Sequence, residues 1–259
     1  MSKEKLGFEQ ELVRLPGQSV DEEIKDFFEE KVDFLFFQIG ILFFLIIFSV
    51  IVWYTKPINP LFVILTCIPF IGYSIYKLTK AKSQLENLRR GRDGERYVGQ
   101  LLEDLRKDGY RIFHDIFADN FNLDHVVIGK TGIYVIETKT WGNSASIKSA
   151  SYDGRTLNLN GYAVPRNPIF QVQAEARWLS DILRKSIGNK FYVQPIIALP
   201  SKFIDPLVNK VLEPENVRLL NPKTIARFLN NDAEKLTVEQ INQVSLHLER
   251  IIKSQNSLK

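Results

Sequence analysis

The chain has 259 residues, of which 45% are hydrophobic, with 25% charged, 12% aromatic, one Cys and a formal net charge of +4. That composition excludes a disordered chain, and the lone cysteine excludes a disulfide framework or a Cys-rich zinc site. Eleven Pro and 14 Gly without a period exclude collagen-like and Gly-rich low-complexity sequence.

The apolar residues are not spread evenly. Residues 1–33 form an acidic leader, with five basic residues against ten acidic. It has no apolar stretch of its own and ends on Glu29, Glu30 and Asp33, so it does not read as a cleavable signal peptide. From Phe34 to Tyr54 no residue is charged, and only Gln38, Gly40 and Ser49 are not apolar. As a helix rising ~1.5 Å per residue this run is about 31 Å long, close to the ~30 Å hydrocarbon core of a bilayer. A soluble core helix keeps a polar stripe, and this run has none. Thr55-Lys56-Pro57 reads as a tight hairpin. A second charge-free run follows, Ile58 to Tyr76, containing the single cysteine, Cys67. Trp53 and Tyr54 close the first run and Tyr73 and Tyr76 the second, where aromatic rings favour the lipid–water interface. Residues 34–76 therefore read as a two-span transmembrane hairpin.

Residues 77–92 form a basic juxtamembrane linker. Lys77, Lys80, Lys82, Arg89, Arg90 and Arg92 are opposed by Glu86 alone. This bias places the C-terminal bulk in the cytoplasm, and two spans bring the N-terminus to the same side. The expected location is the cell membrane, with both termini cytoplasmic. Residues 77–259 hold 28 basic and 20 acidic residues, a bias that suits nucleic acid or a membrane surface.

The remaining elements alternate. Asp93–Lys107 has helical periodicity. Tyr110–Ile116, Leu123–Gly129 and Ile133–Thr140 read as strands, the last two joined through Gly129-Lys130-Thr131-Gly132. Ser146–Tyr152 and Thr156–Asn160 form a further pair around Asp153-Gly154. Asn167 caps a helix over Pro168–Ile187. Phe191–Leu199 is a buried strand, Asn216–Leu220 a short one, Pro222–Asn230 a helix and Thr237–Lys253 a last amphipathic helix. The expected fold is α/β, a mixed sheet flanked by helices. The C-terminal stretch 201–259 extends the domain over 93–200 and packs on it.

The central hairpin concentrates the chemistry. With its centre between Lys130 and Thr131, Ile128 faces Ile133, Val126 faces Val135 and Asp124 faces Glu137. Alternation puts Asp124, Val126, Ile128, Ile133, Val135, Glu137 and Lys139 on one face. Two carboxylates that close need a proton or a cation. Mg²⁺ or Mn²⁺ prefers carboxylate oxygens and leaves room for phosphate. Lys139 is placed to assist the attacking water or to stabilise charge developing on phosphate. The pattern suits hydrolysis of a phosphodiester; it equally fits a solvated charge pair at a strand end.

Gly94-Glu95-x-x-Val98, Asp124-His125-Val126-Val127-Ile128-Gly129, Gly132-Ile133-Tyr134-Val135-Ile136-Glu137-Thr138-Lys139 and Asn167-Pro168-x-x-Gln171 together resemble the nuclease-related domain, a family grouped with the PD-(D/E)XK nucleases. The resemblance covers roughly residues 90–200. It implies a restriction-endonuclease-like sheet, a metal held by Asp124 and Glu137, and catalysis assisted by Lys139. It further implies that Glu95 completes the metal site, that Gln171 is the polar site residue of the following helix, and that DNA is favoured over RNA. Asn122-Leu123-Asp124 stands where that superfamily's motif has Pro-Asp.

Other residues read more plainly. Glu175, one turn beyond Gln171, reads as surface. His125 points away from Asp124 and reads as a packed histidine, and His114 and His247 lack metal-like spacing. Trp141 reads as a core or edge aromatic, with base stacking as the other use. Lys148, Arg155 and Arg166 read as solvated charges. No phosphate-cradling Gly loop or Ser-His-Asp set is present. The expected function is a membrane-anchored, metal-dependent nuclease; the alternative is a non-catalytic module that tethers nucleic acid or a protein, with the leader 1–33 as a further protein-binding segment.

Overall fold

A computed structural model describes residues 14–54, 59–118, 121–141, 146–200 and 203–256. The predicted hairpin at residues 55–57 and the loop residues Gly142 and Asn143 lie outside them. The chain divides into two units: residues 19–90, and residues 1–18 together with 91–259.

The smaller unit is helical. Helix α1 (Gln18–Phe27) continues through a π-type turn into α2 (Asp33–Trp53), and α3 (Leu61–Glu103) begins within this unit. Two helical stretches are long and apolar enough to cross a membrane. Phe34, Phe37, Phe44, Phe62 and Leu65 all show more than 60% of their surface, the opposite of a soluble core helix. The basic stretch 77–92 is not a break in structure: α3 runs through it to Glu103.

The larger unit is built on a five-stranded mixed sheet. Its strands are β1 (Arg111–Phe117), β2 (Asn122–Gly129), β3 (Gly132–Thr138), β7 (Val193–Ala198) and β8 (Arg218–Leu220), in the order β1-β2-β3-β7-β8. The first three are antiparallel, and β7 and β8 add in parallel. A second sheet is formed by β4 (Ala150–Tyr152), β5 (Leu157–Leu159) and β6 (Tyr162–Ala163). The last of these has only two residues, too short to leave a periodic signal.

The hairpin register follows from its turn. Gly129 pairs with Gly132, Ile128 with Ile133 and Val126 with Val135. Gly132 has a φ of +145°, open to glycine and strained for other residues. A Cβ on Gly129 would overlap the Tyr110 ring.

The helices cover both faces, as the buried apolar runs of β2 and β3 require. On one face Val126, Ile128, Ile133 and Val135 pack with Ile169, Val172, Leu179 and Leu183 of α4 (Pro168–Ile187) and with Val244 and Leu248 of α7 (Val238–Asn256). On the other, Val127, Tyr134 and Ile136 pack with Val98 and Leu102 of α3 and with Ile225 and Leu229 of α6 (Pro222–Asn230). A short helix, α5 (Leu207–Leu212), precedes β8. Helix α4 begins where Asn167 accepts a hydrogen bond from the Ile169 amide, and ends at Gly188 in the left-handed region.

Candidate active site

Alternation along β2 and β3 sends Asp124 and Glu137 toward α4, and His125 and Thr138 toward α3. The ladder stops at His125–Ile136, so Asp124 and Glu137 lie just past its end. There the Thr138 amide donates to Asp124 Oδ2 at 2.7 Å. Glu137 is buried, 3% exposed. Its Oε1 accepts from Lys139 Nζ at 2.6 Å and from Gln171 Nε2 at 2.7 Å. Gln171 Oε1 accepts from Lys139 Nζ at 2.8 Å. The structure thus brings Glu137, Lys139 and Gln171 into one closed triangle, with Asp124 beside it. Helix α4 delivers Gln171 because its first turn packs through Ile169 and Val172 on the same sheet face.

Glu175 corrects the sequence reading. It is buried at 1% exposure, not on the surface. Neither of its oxygens makes a well-formed hydrogen bond, and Glu137 Oε2 is likewise buried without a partner. Gln171 and Glu137 are still near enough to act on its proton. Its spacing carried the signal: Gln171 and Glu175 are i and i+4, hence on one helix face, and apolar Val172, Ala176 and Leu179 surround that face.

The electrostatics follow from crowding. Loss of solvent, then the charges of Glu137, Glu95 and Glu175, push the Asp124 carboxyl well above the usual range against the pull of the Thr138 amide. Burial, then the charge of Glu137, pushes Glu175 up in the same way. Burial alone would lower Lys139, but the charge and hydrogen bond of Glu137, with Asp124 and Glu175, outweigh it and hold the ammonium form. Glu95, on α3 and half-buried, acts on Asp124 through its charge.

Asp115 of β1 is engaged elsewhere. Its Oδ2 accepts from Arg14 Nε at 2.8 Å and lies 2.7 Å from Nη2, in a pair that is almost fully buried. Trp141 packs against the core, and Lys148, Arg155 and Arg166 are exposed. A cavity of about 420 Å³ lined by Thr131, Tyr134, Lys190 and Gln194 sits at the turn end of the hairpin, not among the acids.

The donor set fits a hard divalent cation. It offers carboxylate oxygens on Asp124 and Glu137, Oε2 of Glu137 being buried and unpartnered, with the charge of Glu95 acting on the same group, and their mutual repulsion favours a cation. Among the described residues no three His, Cys, Asp or Glu side chains converge into a finished metal site.

The chain is similar to known proteins over part of its length. It shares 18% identity and a TM-score of 0.27 with a repair endonuclease from Pyrococcus abyssi, covering 46% of this chain and 42% of that one. It is 25% identical over 167 residues to an uncharacterized protein of Bacillus anthracis, covering 62% of this chain. The match spans 66% of that relative, just under two thirds of its length. Residues 90–200, which hold Glu95, Asp124, Glu137, Lys139, Gln171 and Glu175, match the family model described as NERD, the nuclease-related domain.

Proposed function

We propose that this protein is a membrane-anchored, divalent-metal-dependent nuclease that hydrolyses phosphodiester bonds of nucleic acid, DNA in preference to RNA, on the cytoplasmic side. The observation that carries the reading is the buried Glu137, with one oxygen clasped by Lys139 and Gln171 and the other unpartnered. Asp124 and Glu137, with Glu95, would hold Mg²⁺ or Mn²⁺. Bound there, the metal supplies charge neutralisation at phosphate and lowers the cost of activating water. Lys139, kept as ammonium, stabilises negative charge developing on the phosphate oxygens. Gln171 fixes the separation of Lys139 and Glu137 by bonding to both. Glu175 holds a proton in the buried wall of the site. The match to a nuclease-related domain over residues 90–200 supports the same chemistry.

The two apolar helices would anchor the protein, and the excess of Lys and Arg after the second sets the side. A reporter fused after Lys259 then behaves as cytoplasmic; an external signal overturns the orientation. Activity is tested on the full chain in detergent, with single- and double-stranded DNA and RNA and Mg²⁺ or Mn²⁺. Cleavage is expected from wild type and lost in Asp124→Ala and Lys139→Ala. Nucleic-acid binding without cleavage by any form would instead favour a tethering module. The Lys139–Glu137 ion pair fits that second reading, since it partly neutralises the acids without a metal.

A further inference from the structure

On the sheet face turned away from the carboxylates, four side chains form a continuous chain. Glu103, at the end of α3, accepts from Arg106 Nε at 2.6 Å and from Arg106 Nη2 at 2.9 Å. Its Oε1 lies 2.9 Å from His114 Nε2. His114 Nδ1 and His125 Nδ1 are 2.8 Å apart, and the rings meet edge to face. His125 Nε2 lies 3.3 Å from Thr138 Oγ1. The chain ends on the residue whose amide holds Asp124 Oδ2 at 2.7 Å.

The donors follow from one end. A carboxylate only accepts, so His114 Nε2 donates to Glu103. With the rings neutral, His114 Nδ1 accepts, His125 Nδ1 donates, His125 Nε2 accepts and the Thr138 hydroxyl donates. Both rings are buried, His125 completely, amid Val, Ile and Leu. Packing alone needs no imidazole there, and a buried polar network is tolerated only when each member is paired. Here each ring nitrogen has a partner. Partial burial pushes Glu103 up, but His114 and Arg106 outweigh it and hold the carboxyl at about 2.

We infer that Glu103, His114 and His125 are positioning residues: through the Thr138 hydroxyl they fix the end of β3, and so the amide that holds Asp124 beside Glu137. This rests on the metal-site reading above, and deepens it. Outer-shell partners of metal ligands are worth about 10- to 100-fold in affinity or activity, and the same scale applies here.

The test uses the full chain in lipid nanodiscs, labelled with ¹⁵N-histidine. There are three histidines, and His247→Gln assigns the third. Long-range ¹⁵N spectra are expected to show the proton on Nε2 of His114 and on Nδ1 of His125. Mn²⁺ binding is then measured directly by electron paramagnetic resonance. Thr138→Val, which removes the hydroxyl and keeps the amide, should weaken Mn²⁺ by about 10- to 100-fold. Glu103→Gln should weaken it in the same direction and scramble the tautomers, since an amide both donates and accepts. Thr138→Ser should restore wild-type binding. Other tautomers in wild type, or Mn²⁺ affinity within about twofold of wild type in both Thr138→Val and Glu103→Gln, would overturn the inference. A wild type that takes up no Mn²⁺ sinks the metal reading; the tautomers, which need no metal, still decide this one.

Discussion

The open end of the β2–β3 hairpin carries two faces of opposite character. Toward α4, Glu137 raises the cost of charge on both Asp124 and Glu175, and three buried carboxylate oxygens have no partner. Toward α3, Glu103, His114, His125 and Thr138 pass hydrogen bonds from one to the next. The backbone is the same and successive residues alternate between the faces. A satisfied network holds the strand ends in place, whereas an unsatisfied one holds free energy that a ligand can recover. The acidic face reads as site and the histidine face as scaffold, a division that composition cannot show.

Substitutions separate the two. Asp124→Asn and Glu137→Gln are expected to lower cleavage by about 10²–10³-fold or more, the largest effect. Thermal unfolding of Asp124→Asn should be unchanged or improved by about 1 kcal/mol, because a crowding charge is removed, whereas Glu137→Gln takes the ion-pair partner from Lys139 and should cost stability. His125→Ala does the reverse in emphasis. It strands His114 Nδ1 and the Thr138 hydroxyl in a buried setting, at about 1–3 kcal/mol, measured by chemical denaturation. If Asp124→Asn destabilises as much as His125→Ala, the acidic face is scaffold too, and the contrast fails.

Much of this was legible in the sequence, for physical reasons that differ by element. The hairpin register could be read because Gly129 and Gly132 bracket a two-residue turn and β-branched residues alternate on either side. Helix α4 could be bounded because Asn167, Pro168 and Gly188 mark its ends by backbone chemistry. The continuity of α3 could not, because Gly91 and Gly94 look like breaks. Gly94 is instead a close-approach site, where a Cβ would overlap the Thr140 side chain two residues beyond β3. The histidine chain was hidden because it depends on the β1–β2 register, which sets His114 against His125, and the residues between Phe117 and Asn122 lack the glycines that mark the other hairpin. Glu175 was read as solvated because charge is the stronger local cue; its burial comes from packing of the whole helix face.

Smaller effects come from protonation, and the two faces predict opposite signs. Glu103 titrates at about 2 in the folded chain, below the ordinary carboxyl range. Its contribution is therefore present above that range and lost as pH falls toward 2. With nearly half of its side chain exposed, solvent screens it and the effect is modest. Asp124 and Glu175 are raised. The folded chain binds their protons more tightly than the unfolded chain, so on this term stability falls as pH rises above the ordinary carboxyl range. Glu175→Gln removes part of that slope and should raise the melting temperature at pH 8 more than at pH 5. Mg²⁺ should do likewise in wild type, since a cation binding the deprotonated cluster competes with its protons, and should do much less in Asp124→Asn. Melting curves of the full chain in detergent, at pH 5 and pH 8 with and without Mg²⁺, measure both. A Mg²⁺ stabilisation equal at the two pH values, and equal in Asp124→Asn, would mean that the cation acts elsewhere and that the acidic face is not where it binds.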